Sequence, residues 1–214
     1  ENGEAIETQE DFLIRLEKTS LEYNQVMKIA NWIEEKAKGK LFIKELINYD
    51  DITLDFEIKK HNLIYGIKYV FYDTLKNDNS SIGDWSALKL TTTKLKEIAN
   101  QLGIYLYASI QLTDDSAFCT PFTLTSNNIS NCKQLKHLID QLGLWKRINT
   151  DEYNKYRIIS NDDWGNPLER TLDIHKTYYA CVIDKNRQGE KKVLVHSVDL
   201  NLNTWIEEGI LIKA

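Results

Sequence analysis

Residues 69–76 read YVFYDTLK, an apolar run that stops abruptly at Asp73. Such a run either surfaces into solvent at its carboxylate or presents that carboxylate as a ligand at the edge of a sheet. The continuous β-branched and aromatic content of 66–73 (GIKYVFYD) predicts a strand buried on both faces, the kind that parallel sheets contain. Downstream, Asp84 reads as an N-cap, and Leu88, Leu95, Ile98 and Leu102 form one helical stripe that Gly103 ends. Residues 104–112 (IYLYASIQL) then read as a second buried strand. Strand, helix and strand in that order make a right-handed crossover, so the core is expected to be α/β with a mostly parallel sheet flanked by helices.

The same reading extends outward. Apolar residues at helical spacing between 10 and 38 predict two helices, stopped by Gly39, and 40–46 (KLFIKEL) reads as a strand. Ile52, Phe56 and Leu63 share a helical face. Residues 113–131 are rich in Ser, Thr and Asn and too long for an ordinary connector, so they read as a mobile functional loop. Leu135, Leu138, Ile139 and Leu142 suggest a short helix, and 142–148 (LGLWKRI) another strand. Residues 178–183 and 193–198 pair as a C-terminal hairpin around a basic tip.

Composition narrows the functional classes. The chain has 214 residues, 42% hydrophobic and 28% charged, enough for one domain spanning 1–214. A net charge of −5 argues against a surface that coats nucleic acid indiscriminately, though a local basic loop remains compatible with it. Cys119, Cys132 and Cys181 have no C-x-x-C spacing, and the four histidines form no H-x-x-x-H pair, so neither a zinc site nor a disulfide framework is signalled. A reducing, cytoplasmic setting and no membrane association are expected. The first residue is Glu1 rather than Met, which reads as an excised fragment of something longer.

Three features carry possible chemistry. A carboxylate at the carboxyl edge of a sheet, such as Asp73, can hold the water shell of Mg²⁺ beside nucleotide phosphates. Gln111 ends the next strand at the same edge, where an amide can sense a γ-phosphate. Lys185 and Arg187, in DKNRQGEKK (184–192), are two residues apart on one face of an extended chain and can reach a phosphate together. A separate constellation, Asp50 and Asp51 with Glu57 and Lys59, faintly resembles the acids and lysine of restriction-type nucleases and is read instead as a charged helix face.

Taken in order, GIKYVFYDTLK (66–76), LTTTKLKEIANQLGI (90–104), YASIQL (107–112) and IDKNRQG (183–189) resemble the RecA-like ATPase domain of DnaB-type hexameric replicative helicases and of related phage primase-helicases. The resemblance spans most of the chain. It implies that Asp73 is the Walker B aspartate and Gln111 the phosphate sensor. Lys185 and Arg187 would be the K-x-R-x-G cations inserted into a neighbouring subunit's site. Residues 1–16 (ENGEAIETQEDFLIRL) are similar to the segment that carries the water-polarising glutamate, which would be Glu1, or alternatively Glu4. Single-stranded DNA would meet the polar loop, with Lys133 and Lys136 the nearest cations. ATP and Mg²⁺ are the implied cofactors; the implied partners are further copies of the chain in a ring and a primase or helicase loader. Nothing in the sequence matches G-x-x-x-x-G-K-[ST], the phosphate cradle, and 150–176 has no counterpart in the family pattern. A RecA-like domain without ATPase activity, serving in assembly or loading, is the alternative.

Overall fold

The computed structural model describes residues 21–46, 50–75, 84–129, 135–162 and 164–214. The chain divides into two compact units, 1–67 and 68–214. In the first, helix α1 (Leu21–Ala37) precedes Gly39, whose φ of 70° is left-handed backbone that glycine accepts without a Cβ clash. The helix expected before it falls on residues outside those described. Residues 40–46 form no strand, contrary to expectation. Phe42 instead stacks on Tyr65 at 4.2 Å and meets the edge of His61 at 5.8 Å, so the apolar run packs against a helix rather than a ladder. That helix, α2 (Asp51–Tyr65), starts where the Asp50 carboxylate accepts from the Thr53 amide at 2.7 Å and stops at Gly66, with φ 65°. Along it Asp55 pairs with Lys59 at 2.8 Å and Glu57 with Lys60 at 3.9 Å. The acids and lysine that suggested a nuclease are thus a charged helix face.

The second unit opens with the expected crossover. Strand β1 (Tyr69–Tyr72) and strand β2 (Tyr105–Ala108) are parallel neighbours in the register Tyr69↔Tyr105 to Tyr72↔Ala108, and helix α3 (Asp84–Leu102) joins them. Leu88, Leu95 and Ile98 of α3 are buried, as the stripe required, and Gly103 ends the helix at φ 62°. The strands are not buried on both faces. Tyr69, Phe71, Tyr105 and Tyr107 are exposed and stack across the pair, at 5.5 Å for Tyr69 with Tyr105 and 5.0 Å for Phe71 with Tyr107.

Most of the sheet structure is antiparallel, which corrects the expectation of a mostly parallel sheet. After the short helix α4 (Leu135–Leu138) come β3 (Gln141–Arg147), β4 (Tyr156–Asn161), β5 (Pro167–Thr171), β6 (Thr177–Asn186), β7 (Val193–Asp199) and β8 (Thr204–Lys213). They form a six-stranded sheet in the order β3-β6-β7-β8-β4-β5. The hairpin of β6 and β7 is therefore central to the sheet, and residues 150–176 contribute the strands β4 and β5. One sheet face is packed: Ile148, Tyr156, Ile158, Tyr178, Ala180, Val195 and Leu211 share one cluster, and Leu88, Leu124, Ile129, Leu135, Leu144 and Val182 another. Val193 touches both.

A bulge in β8 makes Glu208 an extra residue, because Val195 pairs with Gly209 while His196 pairs with Glu207. Gly209 sits at φ 135°, and a Cβ there would lie 2.3 Å from the Ile159 carbonyl oxygen, so only glycine fits. The bulge delivers the Glu208 carboxylate, 9% exposed, to Arg170 and to Lys176 at 3.1 Å. Burial disfavours the charged form, but hydrogen bonds from Ser197, Arg170 and Lys176 outweigh it and bring the Glu208 pKa down to about 2. A folded-state pKa below the ordinary 4.5 stabilises the fold above about pH 4.5 and stops doing so as pH falls towards 2. The chain should therefore lose on the order of 3 kcal/mol of unfolding free energy across that window from this group. Urea unfolding between pH 6 and 2 measures it, and Glu208→Gln should flatten the slope while lowering stability at neutral pH.

Candidate functional site

The parallel register fixes the first part of the site. Since Tyr72 pairs with Ala108, the next residues, Asp73 and Ser109, emerge side by side at the carboxyl edge. The Ser109 amide donates to the Tyr72 carbonyl at 3.1 Å, and the Ser109 carbonyl accepts from the Leu75 amide at 2.8 Å and the Thr74 hydroxyl at 3.0 Å. The Asp73–Thr74 peptide is cis. The Ser109 hydroxyl donates to Asp73 Oδ1, and the carboxylate stays exposed. Sequence reading missed Ser109. Its signal was available, because equal register from two parallel strand ends pairs the residue after each.

Gln111 lies beyond the strand rather than at its end, which corrects the reading of 104–112 as one strand: β2 stops at Ala108. The side chain is exposed on the stretch leading to Leu112, which bridges back to Ile129. The polar stretch that follows is a packed, internally hydrogen-bonded loop rather than a loose one. It holds 3-10 turns at Asp114–Phe118 and Ser126–Asn128, the second closed by a reciprocal cap between Thr125 and Asn128. Pro121, Leu124 and Ile129 are buried, and Lys146 donates to the carbonyls of Ser116 and Ala117 at 3.0 and 2.8 Å.

The basic tip forms a second cluster. In the β3–β6 ladder Leu142 pairs with Lys185 and Gly143 with Ile183, leaving Asp184 as a bulged extra residue. The bulge turns Lys185 to the face of the buried Leu142, where its ammonium donates to the Lys136 carbonyl. Asp184, 11% exposed, accepts from Lys136 Nζ at 2.8 Å and the Ser126 amide at 3.0 Å. Burial raises its pKa, and these two donors outweigh that and hold it below the usual range. Lys136 is thus tied to the protein. Arg187 donates through Nη1 to Asp140 Oδ1 at 2.8 Å and through Nη2 to the His137 carbonyl at 3.4 Å, while Lys96 of α3 occupies Asp140 Oδ2. The Lys96 hydrogen bond, ahead of the charges of Lys96, Arg187 and Lys185, holds the Asp140 carboxyl below its ordinary range against the opposing effect of burial. Asp140, Asp184 and Lys96 were not singled out from sequence, where each is one charge among many.

Glu1, Glu4 and Lys133 lie outside the described residues. Among those described, no cluster of three or more His, Cys, Asp or Glu side chains could hold a metal ion by itself. An exposed carboxylate hydrogen-bonded to a hydroxyl fits the outer part of a Mg²⁺ site, since Mg²⁺ keeps several waters and needs one or two protein carboxylates beside phosphate. The phosphate cradle has no counterpart in the sequence. Burial pushes the Cys181 thiol up to about 11, which excludes it as a nucleophile at neutral pH. A depression of about 490 Å³ lined by Trp145, His196, Trp205 and Glu207 shares no residue with the two clusters.

No protein-family model matches the sequence, and no characterised protein matches it by sequence. Solved structures do. A DnaB-like helicase ATPase domain superposes with a TM-score of 0.68 at 15% identity, over 94% of this chain and 65% of that one. A DnaB-like replicative helicase, solved for its interactions with primase, gives a TM-score of 0.64 at 13% identity, over 92% of this chain and 45% of that one. The fold is that of a DnaB-type helicase ATPase domain. The chain spans less than two thirds of each of these solved chains. Among the described residues no helix is long and apolar enough to cross a membrane.

The two carboxylates should behave differently when removed. Asp184→Ala leaves a half-buried ammonium and a loop amide without their acceptor and should cost about 1–3 kcal/mol. Asp73→Ala removes an exposed group and should change stability by less than about 0.5 kcal/mol. Urea unfolding of the two variants beside the parent chain gives both values.

Proposed function

We propose that this chain works as part of a replicative DNA helicase, coupling ATP hydrolysis to translocation on single-stranded DNA and duplex unwinding. The observation that carries the reading is the paired end of β1 and β2, where Asp73 and Ser109 emerge together within a DnaB-type fold. Asp73 holds the water shell of Mg²⁺ beside the phosphates of ATP, the Ser109 hydroxyl orients that carboxylate, and Gln111, further along the same edge, senses the γ-phosphate. Mg²⁺ supplies charge neutralisation of the phosphates when bound. Glu1, or Glu4, polarises the attacking water. Arg187 and Lys185 serve the nucleotide site of a neighbouring copy in a ring, in the cytoplasm. Arg187 is the stronger candidate, because its guanidinium stays half exposed whereas the Lys185 ammonium is engaged by the Lys136 carbonyl. Lys133 and Lys136 stand nearest the DNA; for Lys136 this competes with its pairing to Asp184. A primase or a helicase loader is the partner the reading implies.

One observation favours a second reading. The missing phosphate cradle suits a RecA-like domain that assembles with, or loads, an active helicase and hydrolyses nothing itself.

Mixing separates the two. The 214-residue chain alone should show no appreciable ATPase, since backbone amides and lysine of the cradle supply most phosphate binding. In the intact protein, Asp73→Ala and Arg187→Ala should each suppress hydrolysis, the latter by about a thousandfold. Rings mixed from the two variants should regain activity at interfaces where an intact Asp73 site meets an intact Arg187. Single-turnover hydrolysis that stays silent in mixed rings removes the trans role.

A further inference from the structure

The tip of β6 and β7 is held more firmly than a surface hairpin requires, and one carboxylate does the holding. Asp140 receives Arg187 Nη1 on Oδ1 at 2.8 Å and Lys96 on Oδ2, and its own carbonyl accepts from the Arg187 amide at 3.1 Å. The Arg187 guanidinium is thereby fixed at both ends of the residue. Its contacts use one N–H on each terminal nitrogen, and its other N–H groups have no partner among the described residues. They face outward from a side chain that is 52% exposed. An anchored fork with unused donors is the arrangement that binds an anion with little ordering cost.

The charge balance gives the same answer. Lys96, Lys136, Lys185 and Arg187 gather here against Asp140 and Asp184, so a local excess of positive charge stands in a chain of net charge −5. Asp184 is committed to Lys136 and the Ser126 amide. Asp140 alone therefore offsets the mutual repulsion of Lys96, Lys185 and Arg187. Lys96 also lies on α3, the helix between the strands that end at Asp73 and Ser109, so this carboxylate ties the tip to the crossover.

We infer that Asp140 is a positioning residue for Arg187: it holds the guanidinium in the pose from which the remaining donors reach phosphate on a neighbouring copy. The inference rests on the trans role of Arg187 proposed above. Losing one charge-assisted anchor leaves the cation present but mobile, so activity falls without vanishing.

The test is steady-state ATP hydrolysis by the intact protein. Asp140→Ala should lower kcat about 10- to 100-fold, the worth of one charged hydrogen bond, and leave KM within about twofold. Asp140→Asn keeps the volume and an acceptor oxygen, so it guards against misfolding; it should fall between parent and Asp140→Ala. In the Arg187→Ala background, Asp140→Ala should cost nothing further, because its effect acts through Arg187. Normal kcat in Asp140→Ala beside a crippled Arg187→Ala overturns the positioning role and leaves the trans reading standing. Losses that add in the double variant, or that appear in KM, also overturn it. Unchanged turnover in Arg187→Ala removes the trans reading, and the role of Asp140 with it.

Discussion

A sheet with one packed face needs that face covered along its whole length, and in this chain irregular segments provide much of the cover. The residues under the antiparallel sheet include Phe122, Leu124 and Ile129 of the long polar loop and Ile148 and Tyr153 from the connection after β3. These segments are held by their own hydrogen bonds, since a buried connection must satisfy its backbone polar groups internally. That is why 113–129 is built from two 3-10 turns with a reciprocal cap, and why Asp184 reaches the Ser126 amide from the strand above. The cover in turn sets the position of everything that leaves the sheet, including α4 and the tip it receives.

The crossover was legible because each of its signals is local. The helical stripe through Leu88, Leu95 and Ile98, the stop at Gly103 and the apolar runs on either side all survive in the structure. The antiparallel strands were harder for identifiable reasons. In β8 the extra residue at Glu208 reverses the alternation, so that Glu207 opposes His196 outside while Leu211 is buried inside, and no period of two runs through TWIEEGILIK. In β4 only Tyr156 and Ile158 are fully buried, and Arg157 and the polar end of the strand mask them. The edge strand β5, PLERT, has little apolar content to read. The strand expected at 40–46 failed for the opposite reason: an apolar run does not announce whether its partner is a ladder or an aromatic helix face.

The site divides along the same line. Asp73 stood out as a carboxylate closing an apolar run, and its neighbour Ser109 followed only once the register was known. Gln111 was taken as a strand end because hydrophobicity continues past the last ladder pair: Ile110 and Leu112 pack into the core beneath the loop instead of extending the sheet. Lys185 and Arg187 were visible as a cationic pair. Their anchors were not, because Lys96 and Asp140 are 44 residues apart, and Arg187 and Asp140 are 47.

A cationic tip in an acidic chain is a compromise between two demands. To meet an anion supplied from outside, the guanidinium must keep donors unspent and must not be neutralised by an adjacent acid. To meet it in one geometry, the guanidinium must also be held. A carboxylate shared between Lys96 and Arg187 reconciles these, because a single negative charge divided between two cations fixes both without cancelling either. The half exposure of Asp140 matters here as well: solvent screening keeps the pairing weak enough that an approaching phosphate, with more charge and more acceptor oxygens, outcompetes it for the donors that remain. Asp184, nearly buried and saturated by Lys136 and the loop amide, cannot play this part and serves the fold instead.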